Sequence, residues 1–197
     1  LLRNICQKEL SSYGLECPDC IISSGRHSSL PHHQGTGPIK ECQSIIIDIF
    51  PKDTSSGYFG DMTRTVVKGT PSKKLNDMYK AVLKGQRLGL SLIKSGVKSK
   101  TVHNSIKSLF DNSGFYTTYK EGTPEGFIHS TGHGLGLDIH EPPRISSGDD
   151  ILKKNYVVTV EPGLYYSRIG GVRVEDTVLV TTDGCKNLTR FPKNLNL

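Results

Sequence analysis

The chain has 197 residues, enough for one domain, or at most two small ones, with a real core. Its 35% hydrophobic and 22% charged residues match an ordinary globular protein. No apolar run approaches the ~20 residues of a transmembrane helix, and the net charge of +6 is spread along the chain, which argues against a nucleic-acid footprint and against membrane attachment.

In chain order, Leu1, Leu2, Ile5, Cys6 and Leu10 recur at helical spacing, and Gly14 supplies a stop. The sequence opens at Leu1, without methionine and inside this amphipathic pattern, so it reads as part of a longer protein. The five cysteines (Cys6, Cys17, Cys20, Cys42, Cys185) are odd in number and scattered, which suits reduced thiols in a cytoplasmic protein. Cys17 and Cys20 form a CxxC, but a zinc site would want a second pair, so a structural turn is the better reading. Residues 23–40, rich in Gly, Ser, Pro and His, read as loop or edge strand and contain His32 and His33.

Ser44 to Phe50 is a β-branched run typical of a buried strand. Pro51 to Gly57 carries turn chemistry, and Tyr58 to Val67 returns as a second strand containing Asp61, a hairpin signal. Pro71 after Thr70 predicts a helix start with its cap, and Leu75, Met78, Tyr79, Val82, Leu83, Leu90 and Ile93 hold helical period until Gly96. A shorter helix carries Val102, Ile106, Leu109 and Phe110 and stops at Gly114. Tyr156 to Glu161 and Val172 to Thr181 read as further strands. Hairpins and helices without βαβ alternation predict an α+β fold.

Between these elements lies His129-Ser130-Thr131-Gly132-His133-Gly134-Leu135-Gly136-Leu137-Asp138-Ile139-His140-Glu141. Each glycine costs a helix about 1 kcal/mol relative to alanine. The run therefore suits extended backbone lying close to something else, and three histidines in it read as a site.

The two hairpins repeat one pattern. Isoleucines end in Asp48, a turn follows, and Asp61 sits on the return; valines end in Glu161, a turn follows, and Glu175 sits on the return. Equidistance from turn centres in Thr54-Ser55 and at Arg168 predicts that each acid faces its mate. Opposed carboxylates raise each other's pKa unless cations lie between them. Two divalent cations would serve, and a histidine nitrogen added to four carboxylates suits Mn, Co or Zn better than Ca.

The chain closely resembles the catalytic, pita-bread domain of the M24 metallopeptidases, in particular Xaa-Pro aminopeptidases and prolidases. The resemblance rests on Ile47-Asp48, Gly60-Asp61-Met62-Thr63-Arg64-Thr65, His129-x3-His133-x6-His140-Glu141, Thr159-Val160-Glu161-Pro162-Gly163 and Arg173-Val174-Glu175-Asp176. It implies two pseudo-symmetric halves with a curved antiparallel sheet flanked by helices, all of 1–197 being one catalytic domain that lacks its first helices and any N-terminal domain. It implies two metal ions, with manganese first and cobalt or zinc next, held by Asp48, Asp61, His133, Glu161 and Glu175, and Asp61 and Glu175 bridging them. Glu161 would also carry the catalytic proton, His129 and His140 would bind substrate and the tetrahedral intermediate, and His32 rather than His33 would assist. Tyr165 and Arg173 match positions near the substrate. The implied reaction is hydrolysis of the N-terminal bond before proline in peptides with proline second, by a chain that forms a homodimer. A methionine aminopeptidase shares the five ligands, and catalytically inactive binding modules share the fold. Phe50, followed by Pro51 and Lys52, stands where the family usually has glycine two residues after the first aspartate, so altered packing beside an intact ligand is expected.

Overall fold

The computed structural model describes residues 1–120 and 122–197. The chain runs α1 (Leu2–Ser11), β1 (Leu15–Glu16), β2 (Ile21–Ser24), a 3-10 turn (Gly25–Ser29), β3 (Ser44–Ile49), β4 (Lys52–Asp53) and β5 (Met62–Val67). It continues with α2 (Lys73–Leu92), α3 (Ser99–Asn112), β6 (Thr118–Lys120), β7 (Thr123–Glu125), β8 (Gly132–Gly134) and β9 (Glu141–Ile145). Last come β10 (Val157–Val160), β11 (Gly163–Tyr166), β12 (Gly170–Arg173), β13 (Asp176–Val180) and β14 (Cys185–Asn187). The named strand pairs are all antiparallel. One half is built on β2-β3-β5 and the other on β14-β13-β10-β8-β9, an α+β arrangement as expected. Among the described residues, no helix is long and apolar enough to cross a membrane.

The second hairpin keeps a single register along its length. Val160 faces Asp176 in one ladder and Gly163 faces Arg173 in the next, so Glu161 and Glu175 fall opposite each other where the ladders part. There each backbone turns to another neighbour: Glu161 N–H donates to Thr131 O at 2.7 Å and Glu175 N–H donates to Thr63 O at 3.0 Å. The strand expected over Val172 to Thr181 is accordingly split at Val174-Glu175.

The first hairpin corrects the expectation. Asp48 faces Thr63, not Asp61, and Asp61 lies just before the strand. The Asp53 carboxylate accepts from the backbone N–H of Ser55 (3.0 Å) and of Ser56 (2.7 Å), while Asp53 N–H donates to Tyr58 O at 2.9 Å. These bonds centre the turn between Ser55 and Ser56, one residue later than the sequence suggested, so every pairing moves by two. Asp61 and Thr63 still share a strand face, because side chains alternate with a period of two.

Threonines join the halves. Thr65 Oγ1 donates to Arg173 O at 2.8 Å and accepts from Arg173 N–H at 2.9 Å. The core lies on the helical side, where Leu75, Met78 and Val82 of α2 and Val102, Ile106 and Phe110 of α3 bury against Val158, Val160, Val172, Val174 and Val178. Gly85 and Gly89 let α2 approach that closely; a Cβ on Gly85 would lie 2.8 Å from the Phe110 ring, and one on Gly89 3.0 Å from Val160. The α2 cap is Ser72, whose side chain accepts from Leu75 N–H at 3.2 Å. The helix thus starts after the Thr70-Pro71 pair expected to open it, and it ends at Leu92 rather than running to Gly96. Gly114 follows α3 with φ +80°, as a helix stop should. Cys17 and Cys20 are buried free thiols in a turn, Cys20 N–H donating to Cys17 O at 3.5 Å.

Candidate metal centre

The sheet opens on a cavity of about 900 Å³. Asp48, Asp61, His133, Glu161 and Glu175 all line it, from β3, the residue before β5, β8, the residue after β10 and the residue before β13. Among the described residues, one group of three could hold a metal ion: Asp61, His133 and Glu175, with ligand atoms within 4.8 Å of one another. Glu161 Oε1 stands 3.4 Å from His133 Nε2, and Asp61 Oδ2 stands 3.7 Å from it. Asp48 Oδ2 accepts from the Arg173 guanidinium, while buried Asp48 Oδ1 has no hydrogen-bond partner among the described residues.

Glycines place His133. A Cβ on Gly132 would lie 2.0 Å from Thr159 O, and one on Gly134 would lie 2.4 Å from Pro142 O. Only glycine on each side lets β8 slot between its neighbours. His133 Nδ1–H donates to Gly134 O at 3.0 Å, which leaves Nε2 as the lone-pair nitrogen facing the acids. Burial pushes the imidazole down to about 4, so it is neutral near pH 7 and able to ligate.

The acids are strained electrostatically. Burial, then the charges of Glu175, Asp48 and Glu161, push Asp61 well above the usual carboxylate range. Burial followed by Glu175 does the same to Glu161, and burial followed by Asp48 raises Glu175 to about 7. The Arg173 charge, paired directly with Asp48, partly offsets this in all three. Four carboxylates, one lone-pair nitrogen and an unpartnered buried oxygen fit divalent cations, and the O/N donor set fits a transition metal.

Arg173 Nη1 donates to Tyr165 Oη at 2.8 Å. His129 Nδ1–H donates to Ser130 O at 2.7 Å, so the Tyr165 hydroxyl donates to His129 Nε2 at 2.9 Å. Burial and the Arg173 charge hold His129 down at about 3. His129 lines the cavity, with both of its ring nitrogens bonded within the protein. His140 and His32 are exposed on the cavity wall, with the His140 ring 4.4 Å from that of His133. His33 instead stacks on His27 at 4.2 Å and accepts from Gly35 N–H at 2.9 Å, so His32 is the histidine of the pair that reaches the cavity.

Sequence reasoning passed over Thr63, Thr159, His103 and Arg144. Thr63 Oγ1 donates to Glu175 Oε2 at 2.7 Å and accepts from Arg173 Nε at 3.1 Å. Thr159 Oγ1 accepts from His133 N–H at 3.1 Å and lies 3.5 Å from Glu161 Oε1. Each threonine stands two residues from an acid on the same strand face, a signal the period of two offers. His103 Nδ1 lies 3.0 Å from Thr131 Oγ1 and lines the cavity, while Arg144 is an exposed cation on its wall. Neither carried a signal beyond residue type.

The family model for metallopeptidase family M24 matches residues 2–182. An Xaa-Pro dipeptidase of Pyrococcus furiosus is 40% identical over 186 residues, which cover 92% of this chain and 51% of that protein. The crystal structure of a prolidase from Pyrococcus horikoshii superposes with a TM-score of 0.87 at 34% identity, covering 98% of this chain and 54% of that one. An X-Pro aminopeptidase from Thermotoga maritima gives 0.87 at 32% identity, covering 98% and 53%. The chain thus spans about half the length of the relatives it matches.

Proposed function

The chain belongs to metallopeptidase family M24, and we propose that its cavity hydrolyses the bond between an N-terminal residue and a following proline, using two divalent cations held by Asp48, Asp61, His133, Glu161 and Glu175. The observation that carries this reading is the convergence of four mutually repelling carboxylates and the lone-pair nitrogen of His133 on one cavity wall. The oxygen-rich donor set with one imidazole favours manganese, with cobalt and zinc next. Such ions, when bound, supply an acidified water and polarise the scissile carbonyl.

The protein's own groups do the rest. Glu161 is half-buried on the cavity wall and has a raised pKa, which suits a carboxylate that takes the attacking water's proton and delivers it to the leaving proline nitrogen. His140 and His32 reach the cavity from its rim and donate N–H to the substrate carbonyl as its oxygen gains charge. His129 acts one step back, orienting the Tyr165 hydroxyl and through it Arg173. Phe50, Phe127, Ile128 and Ile139 give the cavity an apolar wall against which a proline ring packs. The exposed Arg144 guanidinium is placed to pair with a free substrate carboxylate, which favours dipeptides over longer peptides.

The test is hydrolysis of an Xaa-Pro dipeptide, an Xaa-Pro-Xaa tripeptide and a Met-Ala peptide by the Mn²⁺-loaded chain, beside a Glu161→Gln variant. Cleavage of the proline substrates alone, reduced at least ~100-fold in the variant, is expected, with the dipeptide preferred. Cleavage of Met-Ala alone would move the chain to the methionine aminopeptidases. Metal binding without cleavage of any substrate would leave a binding module.

A further inference from the structure

Residues 183–197 lie beyond the stretch that the family model matches, yet part of this segment is bonded to the back of the metal centre. Each strand that turns an acid or its threonine to the cavity turns the next residue to the opposite face. Thr63 is followed by Arg64 and Glu175 by Asp176, and behind the sheet Arg64 Nη2 meets Asp176 Oδ1 at 2.9 Å. Both side chains are buried.

All five N–H donors of Arg64 have acceptors. Nε donates to Pro192 O at 3.0 Å, and Nη2 donates to Phe191 O at 2.9 Å besides Asp176. Nη1 donates to Thr63 O at 2.8 Å and to Glu175 O. Asp176 Oδ2 in turn accepts from Gln86 Nε2 (2.9 Å), Asn187 Nδ2 (2.6 Å) and Lys193 Nζ, and Lys193 also donates to Gln86 Oε1 at 3.1 Å. Glu175 is therefore held at three points: its N–H by Thr63 O, its carbonyl by Arg64, and its carboxylate by Thr63 Oγ1.

A buried ion pair is a poor source of net stability, because desolvation offsets its attraction. A fully bonded one fixes geometry well, and the donors of this one end on the main chain of Thr63 and Glu175. We propose that Arg64, Asp176 and Lys193, closed by the carbonyls of Phe191 and Pro192, form a positioning network that holds Glu175 for metal binding, so that the segment after β14 is a working part of the metal centre. This rests on the metallopeptidase reading. Arg64, Asp176 and Lys193 are positioning residues, since Thr63 and Glu175 stand between them and the cavity. The segment is anchored independently further on, Val67 N–H donating to Leu195 O at 2.7 Å and Leu197 N–H donating to Val67 O at 3.2 Å, with Leu195 in the core. A change at Lys193 therefore leaves the segment docked.

Co²⁺ is the probe, because its visible absorption reports coordination geometry and titration calorimetry reports its affinity. The wild-type chain is compared with Lys193→Met and Lys193→Arg, with thermal unfolding of each metal-free chain as the folding control. The network predicts that Lys193→Met binds Co²⁺ about 10-fold more weakly with an altered absorption band. Lys193→Arg, which restores a cation on Asp176, is predicted to recover both. Wild-type affinity and an unchanged band in a folded Lys193→Met chain would overturn the network alone. A wild-type chain that binds no Co²⁺ would overturn the metallopeptidase reading and the network together.

Discussion

Thr63 shows how much a small side chain can decide in this cavity. Its hydroxyl is a donor to Glu175 and an acceptor from Arg173, so it ties an acid of one half to the cation that also holds Asp48. Thr63→Val keeps the shape and removes both bonds, leaving a buried carboxylate and guanidinium each one partner short. The expected outcome is a 10–100-fold loss of Mn²⁺ affinity, read by titration calorimetry, with Thr63→Ser close to wild type. At this scale the sequence was legible where chemistry announces itself: four acids and a histidine in a fixed order stand out against apolar strands. The threonines were hidden because threonine is also an ordinary strand residue, and only the pairing of β5 with its neighbours shows where its hydroxyl points. His129 carried a strong motif signal, but the motif could not tell that Tyr165 occupies its Nε2.

Among the elements, α2 is the one whose sequence and packing pull in opposite directions. Gly85 and Gly89 weaken an isolated helix by about 1 kcal/mol each relative to alanine, so Gly85→Ala improves the helix taken alone. In the folded chain the added methyl would meet the Phe110 ring at 2.8 Å, and Phe110 is fully buried with little room to yield. Overpacking of this kind costs about 1–3 kcal/mol, so the net prediction is destabilisation. A denaturant melt of Gly85→Ala checks it: a lower midpoint with an unchanged slope is expected, and a raised midpoint would mean that α3 moves aside. Helical period made α2 and α3 readable, whereas the start of α2 was not, because Thr70-Pro71 and Ser72 are both plausible openings and only the Ser72 bond to Leu75 N–H decides. The first hairpin failed for a related reason. Its centre is set by the Asp53 carboxylate gripping Ser55 and Ser56, a local bond that counting residues between two acids does not see.

Over the whole molecule, crowded acids make stability depend on metal and pH together. Asp61, Glu161 and Glu175 have pKa values raised above those of an unfolded chain. Their contribution is full below ~4 and is lost as pH rises through the folded values. His129 and His133 are depressed, to about 3 and about 4, so theirs is present above ~6.5 and lost as pH falls. Between ~4.5 and ~6.5 the two slopes oppose each other, and above ~6.5 the histidine contribution is complete and only the loss of the carboxyl contribution still changes with pH. In excess chelator the unfolding temperature should therefore fall as pH rises from ~6.5 to ~8. With saturating Mn²⁺ it should hold or rise, because the ligands bind metal only when deprotonated. Parallel thermal scans across that window check this, and identical slopes with and without Mn²⁺ would count against the centre. The repeated acid-turn-acid hairpin was visible in advance, and the two-half architecture followed from the family resemblance. The split of the second hairpin at its acids was not, because it arises where Glu161 N–H turns to Thr131 O and Glu175 N–H turns to Thr63 O of the other half.

The second hairpin has one register on both sides of its acids, and this separates two kinds of length change. Its tip at Arg168 is exposed and lies outside the paired residues, so extra residues there lengthen the loop and leave Glu161 opposite Glu175. A single residue inserted in either arm, between Glu161 and Gly163 or between Arg173 and Glu175, would instead turn one acid to the far side of the sheet. Added length is thus accommodated at the tip, which makes Arg168 the place to graft a tag, an epitope or a second module without disturbing the chemistry beneath it.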